Sequence, residues 1–115
     1  MTTKINRFAY AVLATSWIVG GAPAAHSQEG ELLRLARDSA IIAGGGKYCR
    51  YDPDEIESFS ARSEARLSVM ARDDYEKVLA RLEFKNMLDA YSAREPEGGC
   101  ENFKSVFDRA LKSIR

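Results

Sequence analysis

Four stretches of the chain repeat apolar residues at three- and four-residue steps, and none of useful length alternates apolar with polar. The first runs from Glu29 to Ala43, with Leu32, Leu35, Ala36, Ser39, Ala40 and Ala43 on one stripe and Arg34, Arg37 and Asp38 off it. The second places Ile56, Phe59, Ser63, Leu67 and Met70 inside and leaves Glu57, Arg62, Glu64 and Arg66 to solvent. The third joins Tyr75, Val78, Leu79, Leu82, Met87, Leu88 and Tyr91, with Phe84 slightly off the stripe. The fourth, from about Cys100 to Ile114, is an unbroken stripe of Phe103, Val106, Phe107, Ala110, Leu111 and Ile114. Each stretch predicts an amphipathic helix.

Local signals mark where these helices begin and end. Asp52-Pro53-Asp54-Glu55 sets a capping carboxylate before a proline suited to the first helical position, with Glu55 three residues on as a capping-box partner. Asp73 with Glu76 repeats the pattern and predicts a third helix from near Asp74; one long bent helix is the alternative. Glu95-Pro96-Glu97-Gly98-Gly99 predicts a loop. The run Gly44-Gly45-Gly46 reads two ways. Glycine weakens a helix by up to about 1 kcal/mol relative to alanine, so the first helix either stops there or continues to Cys49 because another backbone packs close. Continuation is the reading adopted.

The first 27 residues add a different pattern. Lys4 and Arg7 precede the uncharged run Phe8–Val19, and Gly20 to Ser27 supplies breakers and small residues, the layout of a cleaved secretory signal peptide. Cleavage is expected after Ser27, with Ala24 as the second choice, leaving residues 28–115 as a single helical domain. An uncleaved anchor is opposed by Gly20, Gly21 and Pro23, which fall where a spanning helix would continue. Losing Lys4 and Arg7 turns a balanced 17 basic and 17 acidic residues into a small acidic excess, which speaks against a nucleic-acid partner. Export to the periplasm or beyond also decides how the two cysteines read. In an oxidising compartment Cys49 and Cys100 predict a disulfide, which a domain this small needs more than a large one does. The predicted fold class is therefore all-α: a small disulfide-stapled bundle of about four helices after a cleaved leader, the bridge joining the end of the first helix to the start of the fourth.

Candidate chemistry is sparse. The single histidine, His26, lies in the segment expected to be removed, which takes away the commonest general base and metal ligand. No catalytic residue, cofactor or metal site is predicted. Asp52, Asp54 and Glu55 lack the spacing of a calcium loop and read as capping residues. Gly44-Gly45-Gly46-Lys47 lacks the spacing and the hydroxyl of a phosphate loop. Arg62, Arg66, Arg72 and Arg81 offer a basic patch, although mixed charge around them favours an ordinary solvated face. Aromatics are numerous for a bundle this small, and Tyr48 and Tyr51 flank the expected bridge. Tyr48, Tyr51, Arg62 and Arg66 form the expected interaction surface.

The plan of a leader, a short helical domain and two widely spaced cysteines resembles the small acid-stress chaperones of the enteric bacterial periplasm. That resemblance is architectural: Tyr48-Cys49-Arg50 and Gly99-Cys100-Glu101 carry no shared motif, and it transfers no functional residue. The expected function is a non-enzymatic periplasmic or secreted module that binds another envelope protein or a small apolar ligand. An acid-stress chaperone is the alternative, and a small glycan-cleaving enzyme using carboxylates the contrasting class. No stable membrane insertion is expected after cleavage.

Overall fold

Three glycines in one helical turn set the architecture. The computed structural model describes residues 24–114, and their order is α1 (Ala24–Tyr48), α2 (Pro53–Met70), α3 (Asp74–Ser92) and α4 (Gly99–Ser113). The fold is all-α, with a disulfide between Cys49 and Cys100. Residues 1–23, and with them most of the predicted leader, lie outside the described residues. Helix α1 begins before the predicted Glu29, so the two expected cleavage points both fall in its first turns.

Helix α1 is the hub: it packs most extensively on α3 and also contacts α2 and α4. It runs straight through the glycines, as the continuation reading requires. Its inward face is made of small residues, with Ala36, Ala40 and Ala43 fully buried, and they let α3 come close. At Gly44 an added Cβ would meet Tyr91 Cβ at 2.7 Å, the Leu88 carbonyl oxygen at 3.0 Å and the Ser92 amide nitrogen at 3.1 Å. At Gly45 it would meet the Phe103 ring at 2.5 Å, and at Gly46 the Phe107 ring at 2.9 Å and Ile56 Cγ1 at 3.3 Å. Successive helical residues turn by about 100°. The three glycines therefore face α3, then α4, then α4 and α2 together.

Helix α1 ends in a Schellman turn: the Tyr51 amide donates to the Gly46 carbonyl (3.0 Å) and the Arg50 amide to the Lys47 carbonyl (3.1 Å). Arg50 occupies the left-handed position of that turn at φ 59°. Helix α2 follows, with the Asp54 amide donating to Asp52 Oδ1 (3.0 Å) and Pro53 at the first helical position. Glu55 is exposed and has no hydrogen bond to Asp52 among the described residues, so Asp52 caps without the expected reciprocal partner.

Ala71 adopts extended backbone between α2 and α3, which excludes one bent helix. Asp73 accepts from the Glu76 amide (2.9 Å), as expected. Glu76 reaches back one residue further than a capping box does: it accepts from the Arg72 amide (2.8 Å) and from the Arg72 guanidinium (2.6 and 3.1 Å). Only 4% of Glu76 is exposed, and the Arg72 hydrogen bonds hold its carboxyl below the ordinary glutamate value.

Two burial expectations are corrected. Met70, expected inside, is 42% exposed, because it closes the last turn of α2. On α3 the buried face is Glu76, Ala80 and Phe84, whereas Tyr75, Val78 and Leu82 are 68%, 54% and 52% exposed. The alanine face of α1 selects small Ala80 for close contact and admits Phe84 beside it. The bulky stripe in the first half of α3 is turned outward. Leu88 and Tyr91 pack inward as expected, and α4 buries Phe103 and Phe107.

Gly44→Ala should destabilise the fold by about 1–3 kcal/mol, since backbone cannot yield to the new methyl as a side chain can. Gly30, with nothing within 4 Å of an added Cβ, should instead gain up to about 1 kcal/mol on substitution by alanine. Chemical denaturation of both variants checks the contrast. Stability should also fall in acid through Glu76. Its folded pKa is lowered, so its contribution is complete above the ordinary glutamate value of about 4.3 and is lost as pH drops through the folded value. Glu76→Gln should lower Tm at neutral pH and flatten the dependence of Tm on pH below that range.

Candidate functional site

The expected bridge ties the end of α1 to the start of α4, with 5.6 Å between the Cα atoms of Cys49 and Cys100. It closes a loop of 51 residues, worth about 4 kcal/mol on the chain-entropy account. Tyr51 reinforces the joint. Its hydroxyl donates to the Cys100 carbonyl (2.5 Å), and its ring lies 5.2 Å from Phe107 and 6.3 Å from Phe103 between centroids. Lys104 Nζ stands 5.6 Å over the same ring. Burial pushes the phenol pKa up, with Lys104 opposing and Asp108 adding to the shift. A phenol so placed is a neutral structural donor rather than a base.

Beside this joint runs a groove of about 550 Å³ between the end of α1, the first turns of α2 and Leu88 of α3. Tyr51, Pro53, Ile56 and Leu88 line it with apolar surface, and Lys47, Arg50, Glu57 and Ser60 supply its polar groups. Among the described residues neither Lys47 nor Arg50 takes part in an ion pair. Arg50 is there because of the Schellman turn. No glycine stands at the turn position after Cys49, so an arginine is held in the left-handed region, which disfavours L-residues by about 1–2 kcal/mol. A second groove of about 650 Å³ lies between α1 and α4, floored by Ile41, Ile42, Phe103 and Val106. Arg94 crosses its edge and stacks on Tyr91, 4.2 Å from the ring centroid.

The four residues expected to share a surface are not brought together in one groove. Tyr51 lines the first groove; Tyr48, 40% exposed, does not. Arg62 lines a separate depression of about 250 Å³ with Asp54, Glu55, Ser58 and Leu111. Arg66 is exposed and lines none of these depressions. Arg72 is committed to Glu76, and Arg81 lies with Glu64 and Lys77 beside a shallow dip on another face. Lys47 and Arg50 were absent from the expected set. No sequence signal singled them out: the turn at the end of α1 places Arg50 in the left-handed position and brings both to the groove.

Glu57 is the one carboxylate lining the first groove, so the paired acids of glycan cleavage are not assembled there. Among the described residues no three His, Cys, Asp or Glu side chains gather as a metal site needs. No described helix is long and apolar enough to cross a membrane. No protein-family model, curated protein or solved structure matches the chain.

Cys100→Ala should lower the unfolding free energy by about 2–5 kcal/mol, the usual loss when a small disulfide-bonded domain gives up its bridge. Chemical denaturation against the parent chain measures it, and thiol counting on denatured parent protein should find no free thiol.

Proposed function

We propose that the chain is a non-enzymatic binding module of an oxidising, extracytoplasmic compartment, periplasmic or extracellular, and that it takes a small amphiphilic anion in the Lys47–Arg50 groove. The leader pattern and the Cys49–Cys100 bridge support the compartment. Arg50 carries the binding reading. It stands at φ 59°, where glycine would be free of the steric penalty, and its cationic side chain lines an apolar groove. A strained residue kept at a cleft is a sign that the side chain is used. The apolar floor takes a hydrocarbon body, and Lys47 and Arg50 take an acidic head.

An acid-stress chaperone is the second reading, favoured by one observation: buried Glu76 is hydrogen-bonded to Arg72 at the start of α3, and those bonds lower its pKa, so its protonation in acid costs stability there. Such a protein would keep an unrelated client soluble at equimolar amounts in strong acid and bind nothing at neutral pH.

Arg50→Gly separates structural from functional roles. It should raise stability by about 1 kcal/mol through relief of backbone strain, yet weaken binding of dodecanoate by about tenfold or more relative to the parent, read by calorimetry. Dodecanol, which lacks the charge, should bind parent and variant alike. Equal dodecanoate affinity in both proteins would refute the groove reading.

A further inference from the structure

Helix α3 presents two apolar faces. Ala80 and Phe84 turn into the bundle, while Tyr75, Val78 and Leu82 are each more than half exposed. At about 100° per residue these three point roughly 140–160° away from Ala80, on the far side of the helix. They line none of the grooves described above. Val69 and Met70, at the end of α2 just before α3 in the chain, are exposed as well. Among the described residues, five of the six large exposed apolar side chains therefore fall within the Val69–Leu82 stretch of sequence, a concentration that points to a contact surface.

We propose that this face docks against the same face of a second copy, the two α3 helices running antiparallel across a two-fold axis at Val78. The sequence of the helix is self-complementary about that residue to within one position. Tyr75 stands three positions before Val78 and Leu82 four after it; Asp74 stands four before and Arg81 three after. An antiparallel pairing centred on Val78 sets Val78 against its own copy and Tyr75 of one chain beside Leu82 of the other. The same register sets Asp74 beside Arg81 of the other chain, and two-fold symmetry makes each of these contacts twice. Asp74 and Arg81 flank the apolar residues on one side of the helix, and a two-fold axis normal to the paired helices keeps that side facing its equivalent. Within the chain Asp74 has only a long approach from Lys77, at 3.9 Å, and its side chain is fully exposed. Its charge is therefore available to the second copy. A second copy matches this arrangement by symmetry. This contact is independent of the Lys47–Arg50 groove, which α3 enters only through Leu88.

Sedimentation velocity on the full mature chain, up to about 1 mM, tests the proposal. A concentration-dependent monomer–dimer equilibrium is expected. Val78→Asp should abolish it while leaving the circular dichroism and Tm of the monomer intact, since Val78 makes no core contact. Asp74→Arg and Arg81→Asp should each weaken the dimer by about tenfold or more by juxtaposing like charges twice, and the double variant should restore it. A chain that stays monomeric throughout overturns the proposal. So does a dimer indifferent to Val78→Asp, which would lie on another face, and a double variant no better than the singles would overturn the antiparallel register. Dodecanoate binding by the Val78→Asp monomer should match the parent, so the dimer and the groove stand or fall separately.

Discussion

The close approach of three helices to one turn of α1 is the constraint on which the rest depends. Interiors are packed nearly as tightly as crystals, and one methyl group placed where two backbones meet has nowhere to go. Gly44 lets the backbone of α3 lie against α1, and Gly45 and Gly46 receive the rings of Phe103 and Phe107 from α4. Helix propensity argues against three glycines in succession, each less favourable than alanine by about 1 kcal/mol. Tertiary contact outweighs that local deficit, and it does so in three directions from three consecutive residues.

The same turn leads directly into the joint. Gly46 supplies the carbonyl that accepts from Tyr51, so the residue that admits Phe107 also closes the Schellman turn. Cys49 sits within that turn and carries the bridge to α4, and the Tyr51 hydroxyl binds the carbonyl of Cys100 at the other end of it. A covalent bond, a hydrogen bond and an aromatic cluster thus act on one junction. Arg50, the strained member of the turn, is held in place by structure on both sides of it. Its side chain consequently reaches the groove from a rigid base, and a binding group on a rigid base loses less entropy when it engages a ligand.

Electrostatics enter at the other end of α3. Asp73 and Glu76 together satisfy the amides of Arg72 and Glu76, and the Arg72 guanidinium neutralises the buried carboxylate. This arrangement anchors the start of α3 on its inner side. It leaves the outer side, with Tyr75, Val78 and Leu82, unpartnered within the chain. The bundle is thus too small to bury every apolar stripe its helices carry, as surface-to-volume scaling dictates for a domain of this length.

Much of the fold was legible in the sequence because its determinants are local. Periodicity announced four helices, Asp52-Pro53 and Asp73 announced two of their starts, and the proline and glycines of 95–99 announced the last turn. The cysteines announced the bridge, since the leader pattern read as an export signal and paired thiols are expected to join in an oxidising compartment. Periodicity shows that a helix has an apolar stripe; it does not say which of two stripes faces inward. On α3 that choice fell to Ala80 and Phe84 over Tyr75, Val78 and Leu82, because the alanine and glycine face of α1 demanded a close neighbour. The candidate site was less legible still. Tyr51 was visible from its place beside Cys49, but Lys47 and Arg50 became binding candidates only when the turn at the end of α1 brought them to the same groove as Ile56 and Leu88. Helix, cap and bridge follow from neighbours along the chain and from pairing chemistry. Which face is buried and which side chains share a groove follow from shape matching between distant segments, and that is settled only when they pack.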